Sequence, residues 1–77
     1  MYNYYVIELQ TNADGTSGNF VWGFADKVAA EDKYLAVRQA CAGSSIMIHT
    51  AVWMDNKGNV QEKKAYIHPV EPEQPEE

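Results

Sequence analysis

Four segments of the chain alternate or cluster apolar residues in the manner of β-strands. The first three are rich in aromatic and β-branched side chains, the fourth is the most polar, and turn-forming residues separate them from their neighbours. The four segments are residues 3–10, 20–25, 46–55 and 59–68. The first two are joined by residues 11–19, whose Asn, Asp, Gly, Ser and Thr content predicts a long, mobile hairpin loop. The last two are joined by Asp-Asn-Lys-Gly, in which Gly58 suits a positive φ angle.

The segment between these two hairpins has the periodicity of an α-helix. Four residues recur at i, i+4, i+7 and i+11 and therefore share one face: Ala30, Tyr34, Val37 and Cys41. Asp26 is suited to cap the first turn, because its carboxylate can accept hydrogen bonds from free backbone donors. Gly43 is suited to end the helix. We therefore predict a helix over residues 27–42.

The order of elements predicts an α+β fold, β-β-α-β-β, with one helix on one face of an antiparallel sheet. The helix should be roughly 24 Å long and a strand of eight or nine residues roughly 26–30 Å, so the helix can lie along the sheet. A helix that crosses from the second strand to the third can place the third beside the first. The resulting strand order, 2-1-3-4, puts the most apolar strands in the centre and the lysine-rich strand at an edge, where charge discourages further pairing.

The central strands are apolar on both faces, although one helix can cover only one of them. The more aliphatic set is expected to face the helix: Tyr5, Ile7, Leu9, Ile48 and Val52. The other set is then expected to form the interface of a symmetric homodimer: Tyr4, Val6, Met47, His49, Ala51 and Trp53. Trp53 is the expected anchor of that interface, because large aromatic side chains dominate protein contacts.

The acidity of the chain is concentrated at its end. The net charge is −5, but four glutamates lie in the last seven residues; without them 11 − 4 = 7 acidic residues face 6 basic ones. The nearly neutral remainder has no basic stripe, which argues against nucleic-acid binding. We therefore expect a single domain over residues 1–69 and a disordered acidic Pro/Glu tail over residues 70–77.

Chain length and cysteine content bear on compartment and assembly. The single cysteine, Cys41, excludes an internal disulfide and fits a reducing, cytoplasmic location. No run of about 18 apolar residues or targeting signal is visible, so membrane association is not expected. A chain of 77 residues has limited core volume, and without disulfides or metals its additional support is expected to come from oligomerisation.

The sequence offers few groups for catalysis or metal binding. Cys41, His49 and His68 do not have the spacing of a metal site or of a nucleophile with its base. Asn12, Asp14 and Thr16 alternate as in a calcium loop, but the bidentate acidic residue at the twelfth position is missing. No pair of carboxylates is predicted to share a cleft. We therefore expect a protein without a metal, a cofactor or enzymatic activity.

Three stretches together resemble a group of known sequences: YYVIELQTNADG, ADKVAAEDKY and HTAVWMDNKGN. Their layout is similar to that of small uncharacterised prophage-encoded proteins of Gram-positive anaerobes, over about residues 3–68. The resemblance implies a phage or prophage accessory protein and brings no functional residues with it. Two roles follow as hypotheses: an accessory protein that acts through homo-oligomerisation and protein–protein contacts, or a small inhibitor that binds and blocks a host protein.

Overall fold

The computed structural model describes residues 2–68 and contains the predicted elements in the predicted order. They are β1 (Tyr4–Thr11), β2 (Ser17–Phe24), α1 (Lys27–Ala42), β3 (Ile48–Asp55) and β4 (Val60–Ile67). The helix has the predicted bounds, and each strand lies within three residues of its predicted ends. The predicted tail over residues 70–77 lies outside the described residues.

The four strands form one antiparallel sheet in the order β2-β1-β3-β4, which confirms the predicted topology. Pairing of β1 with β2 and with β3 is regular over all eight residues. The pairing of β3 with β4 contains one irregularity, because Trp53 lies opposite Glu62 while Met54 lies opposite Val60. Gln61 is therefore the extra residue of a bulge in the β4 edge strand.

The loop between β1 and β2 is shorter than the sequence predicts. β2 begins at Ser17 rather than Phe20, because Ser17, Gly18 and Asn19 pair with the end of β1 despite their low strand propensity. Residues 12–16 make a compact turn in which Asp14 Oδ1 accepts hydrogen bonds from the backbone and the hydroxyl of Thr16, at 2.9 and 2.6 Å. Those hydrogen bonds lower the pKa of the Asp14 carboxyl. Gly15 (φ +91°) and Gly58 (φ +89°) supply the positive φ angles of the two hairpin turns.

The ends of α1 follow from local sequence. Asp26 Oδ2 accepts a hydrogen bond from the backbone N–H of Ala29 at 3.0 Å, so the predicted N-cap is present. The helix ends at Ala42, and the backbone N–H of Gly43 donates to the carbonyl oxygen of Gln39. Gly43 has a φ angle of −93°, so the helix ends here without a left-handed residue.

The core lies between α1 and one face of the sheet. The four predicted helix residues, Ala30, Tyr34, Val37 and Cys41, are all buried. They pack on the sheet residues Val6, Ala51 and Trp53, and four partly buried aromatic residues surround them: Tyr4, Trp22, Phe24 and Tyr66. The rings of Tyr34 and Trp53 lie 6.1 Å apart at their centroids. Aromatic side chains therefore supply most of the core volume.

The predicted assignment of the two sheet faces is wrong. Trp53 is 5% exposed and His49 is 4% exposed, and both lie under the helix together with Tyr4, Val6 and Ala51. The predicted helix-facing set, Tyr5, Ile7, Leu9, Ile48 and Val52, points to the other side. The large rings fill the gap between helix and sheet, whereas the aliphatic set is left on the uncovered side. Met47 precedes β3 and is partly buried.

Candidate functional site: the open face of the sheet

The side of the sheet away from α1 is not covered by any element in the described part of the chain, and we call it the open face. It consists of sixteen alternating strand residues: Tyr5, Ile7, Leu9 and Thr11; Ser17, Asn19, Val21 and Gly23; Ile48, Thr50, Val52 and Met54; Val60, Lys63, Ala65 and Ile67. Ten of these residues are apolar, counting Tyr5 and Ala65 and leaving glycine out. Alternation along each strand places them all on one side.

The apolar residues of the open face are contiguous. Ile7 lies opposite Val52 on one side and Val21 on the other, which forms a row across three strands. Tyr5 lies opposite Met54, which in turn lies opposite Val60. Val21 is 57% exposed and Ile67 is 71% exposed, so water reaches the face up to both edges. Contiguous exposed apolar surface of this kind marks contact sites in soluble proteins.

The ring of Tyr2 extends the open face beyond the end of β1. A Cβ atom at Gly23 would lie 2.7 Å from this ring, so the glycine leaves the space that the ring occupies. Tyr2 also contacts Tyr5 edge to face, with ring centroids 6.4 Å apart. The open face therefore carries two tyrosines at one end.

Charge is almost absent from the open face. Lys63, on the edge strand β4, is the only one of the sixteen residues with a charged side chain. The neutral polar residues Thr11, Ser17, Asn19 and Thr50 cluster toward one corner. An apolar centre with polar groups at the rim is the usual anatomy of a protein–protein interface.

The face under the helix carries a buried polar pair. Because a carboxylate only accepts hydrogen bonds, His49 Nε2 donates to Glu8 Oε2, at 2.6 Å. Gln10 Nε2 donates to the same oxygen at 2.8 Å. The other ring nitrogen of His49, Nδ1, is buried without a partner. This pair joins β1 to β3 on the face of the sheet that α1 covers.

Glu8 has a shifted pKa with a clear physical cause. Burial raises the pKa of Glu8, but hydrogen bonds from His49 and Gln10 and the charges of His49 and Lys33 outweigh burial. The pKa of Glu8 therefore lies below its ordinary value of 4.5. Stability from a lowered pKa is fully present above the unfolded value and is lost as the pH falls through the folded value.

We expect the free energy of unfolding to decrease as the pH is lowered below about 4.5, the ordinary pKa of Glu8. Urea denaturation at a series of pH values between 3 and 7 measures this slope. A Glu8→Gln variant, which has no titrating carboxyl, should show a shallower slope over the same range. Equal slopes for the two proteins would mean that other carboxyls, such as Asp14 and Asp55, carry the acid sensitivity.

Cys41 and the two histidines do not combine into a nucleophilic or metal site in this fold. Burial, together with the nearby charge of Glu8, raises the pKa of the Cys41 thiol to about 11, so the thiol stays protonated. His68 Nε2 donates to the backbone carbonyl of Cys41 at 2.8 Å, which ties β4 to the helix end. Among residues 2–68, no three His, Cys, Asp or Glu side chains lie close enough to hold a metal ion.

The sequence reasoning missed the Glu8–His49 pair, although a signal for it was present. Glu8 lies at the same alternate positions of its strand as Tyr4 and Val6, so these residues share one face. His49 shares a face with Ala51 and Trp53 in the same way. An acid and a histidine on the same apolar face of neighbouring strands are expected to pair when that face is buried.

No helix within residues 2–68 has both the length and the apolar content needed to cross a membrane. A comparison of the chain with protein-family models, curated proteins and solved structures found no match.

Proposed function

We propose that this chain is a non-enzymatic accessory protein that acts through homo-oligomerisation, with the open face docking on the open face of a second copy. The observation that carries the proposal is the composition of that face, which has ten apolar residues and one charged residue among sixteen. Leaving such a surface in water forgoes the free energy that burial of apolar area provides, about 25 cal/mol per Å².

The size and symmetry of the open face support a second copy as its occupant. Four strands of eight residues span roughly 27 Å by about 19 Å, and side-chain relief adds to that plane. The resulting area approaches the standard contact of about 800 Å² per partner. A twofold axis parallel to the strands sets β1 opposite β3 of the second copy. Ile7 then meets Val52 at the centre, and Lys63 stays at the rim.

Two further parts of the proposal depend on the sequence. The resemblance to prophage-encoded proteins supports a phage or prophage origin, for which the genes beside this one are the direct test. The single buried cysteine supports a reducing compartment, and we place the protein in the cytoplasm.

An Ile7→Lys variant is expected to fold but to lose the dimer contact through the open face. Ile7 is at the centre of that face, so on dimerisation each lysine would lie against Val52 of the second copy as an unpaired charge in an apolar contact, while in a separated copy the amine reaches water. We expect the dissociation constant of this contact to rise at least about 100-fold, because burial of an unpaired charge is strongly unfavourable. Light scattering at micromolar concentration measures the mass.

Val28→Lys is the matched control, because Val28 is an exposed apolar residue on the helix, away from the sheet. Its mass should equal that of the unmodified protein. A folded, unmodified protein with a mass near 8.7 kDa would refute homo-oligomerisation. Retention of the full mass by Ile7→Lys would show that the open face is not the contact.

A further inference from the structure

The two edges of the sheet differ in how they resist pairing with another strand. The β4 edge carries Glu62, Lys63 and Lys64 together with the bulge at Gln61, which are common protections of an exposed edge. The β2 edge, residues Ser17–Phe24, contains no charged residue and no proline, and it pairs with β1 without a bulge. Eight residues of regular, uncharged strand are thus open to a further strand.

The hydrogen-bond phase of β2 shows which backbone groups are free at this edge. The carbonyl oxygens of Thr16 and Phe24 both accept hydrogen bonds from the β1 side, from Asn12 and Asn3 respectively. Successive residues of a strand point their backbone groups to opposite edges. Even-numbered residues of β2 therefore pair with β1, whereas Ser17, Asn19, Val21 and Gly23 direct their N–H and C=O groups outward.

We propose that β2 pairs antiparallel with β2 of a second copy, around a twofold axis at Phe20, to form a continuous eight-stranded sheet. In this register Ser17 lies opposite Gly23 of the second copy, and Asn19 lies opposite Val21. All four outward residues of each chain then form hydrogen-bonded pairs, so four donors from each copy give eight hydrogen bonds. A register shifted by two residues leaves one of the four outward residues of each chain without a partner in the strand.

The side chains on the helix side fit this register. Phe20 is 52% exposed and would lie against its own copy at the twofold axis, where aromatic cross-strand pairs are favourable. Trp22, which stacks on Phe20 with centroids 6.1 Å apart, would lie opposite Gly18, the residue with no side chain. No like charges meet along the pair, because β2 has none.

This second contact is independent of the docking of open faces. A twofold axis through the edge, perpendicular to the sheet, keeps both helices on one side and both open faces on the other. Two such edge-paired dimers can then dock through their open faces, which gives a tetramer with both contacts. The edge contact rests on the outer edge of β2, and the centre of the face contact rests on β1 and β3, so substitutions at Phe20 and at Ile7 distinguish them.

Asn19→Pro is the direct test of the edge contact. The N–H of Asn19 points outward, so proline removes no hydrogen bond within the chain but removes a donor and adds a ring at the edge. Ala65→Pro is the matched control, because His68 N–H donates to Met47 and alternation makes Ala65 an outward residue of the β4 edge. Phe20→Lys is a second test that leaves the backbone unchanged and places two lysines at the twofold axis.

We expect a tetramer for the unmodified protein, a dimer for Asn19→Pro, Phe20→Lys or Ile7→Lys, and a monomer when Ile7→Lys is combined with either β2 substitution. If the unmodified protein is a dimer that Asn19→Pro converts to a monomer and Ile7→Lys does not, the edge contact is supported and the open-face contact is refuted. An unmodified protein whose mass is unchanged by both Asn19→Pro and Phe20→Lys would overturn the edge contact.

Amide hydrogen exchange supplies a readout that needs no β2 substitution. In the Ile7→Lys protein, the outward N–H groups of Asn19 and Val21 should exchange at least about tenfold more slowly than that of Ala65, since only the β2 edge is paired. Exchange of Asn19 and Val21 as fast as that of Ala65 would overturn the proposal.

Discussion

Replacement of Trp53 by alanine is expected to leave the chain largely unfolded at room temperature. Trp53 lies on β3 and is buried between the sheet and α1, where it packs on Val6, Tyr34 and the surrounding aromatic rings. Removal of a buried Trp side chain costs about 3–5 kcal/mol. A domain of this size has a total stability of roughly 3–10 kcal/mol, so the loss is a large fraction of it. Urea denaturation followed by circular dichroism, at one fixed protein concentration, measures the change.

Leu35→Ala is the control for this loss. Leu35 is an exposed apolar residue on the outer side of α1, and alanine is an excellent helix former, so the change should stay below about 1 kcal/mol. If Trp53 instead anchored a dimer, as the sequence predicted, Trp53→Ala would change the assembly of the protein and not the stability of the fold. A Trp53→Ala protein with the urea midpoint of the unmodified protein but a lower molecular mass by light scattering would show that Trp53 lies in an intermolecular contact. That result would contradict the burial of Trp53 under α1.

Removal of the Glu8 carboxylate is expected to be the most destabilising single change among the polar residues. In Glu8→Leu, the deeply buried His49 ring would lose its only hydrogen-bond partner, because Nδ1 already has none. Removal of one member of a buried pair costs about 3 kcal/mol or more. In His49→Leu, by contrast, Glu8 keeps the hydrogen bond from Gln10 and lies nearer to water, so the loss should be smaller.

The double variant Glu8→Leu/His49→Leu completes the cycle. With both polar groups gone, no buried imidazole is left without a partner, so the double variant should be more stable than Glu8→Leu alone. The urea midpoints of the four proteins, measured at pH 7, give the coupling energy. Additive effects of the two single changes would mean that the Glu8–His49 hydrogen bond contributes nothing to folding.

The local elements could be predicted from the sequence because short-range physical preferences determine them. The period of 3.6 in Ala30, Tyr34, Val37 and Cys41 identifies both the helix and its buried face. Asp26 determines where the helix begins, and Gly58 fits the positive φ angle of the second turn. The strand order also follows from the sequence, since the lysine-rich strand belongs at an edge and the apolar strands belong in the centre.

Only the tertiary structure determined which face of the sheet the helix covers. Residues alternate along each strand, but β1 and β3 are apolar at both odd and even positions, so alternation alone gives no preference. Crossover connections between parallel strands are right-handed, and this rule restricts the side of the sheet on which the helix lies. The rule does not determine which set of alternate strand residues points toward that side. That choice depends on the hydrogen-bond phase of the strands. In this chain the phase places Val6, Ala51 and Trp53 under the helix.

The candidate site and the buried polar pair depend on the same choice. Once the even-numbered residues of β1 lie under the helix, Glu8 and His49 are brought within 2.6 Å of each other, and Tyr5, Ile7 and Leu9 are left on the open face. The sequence by itself determined that one apolar face of this sheet would be without a helix. The pairing of the strands decided which face it is, because a shift of one residue exchanges the two sets of side chains.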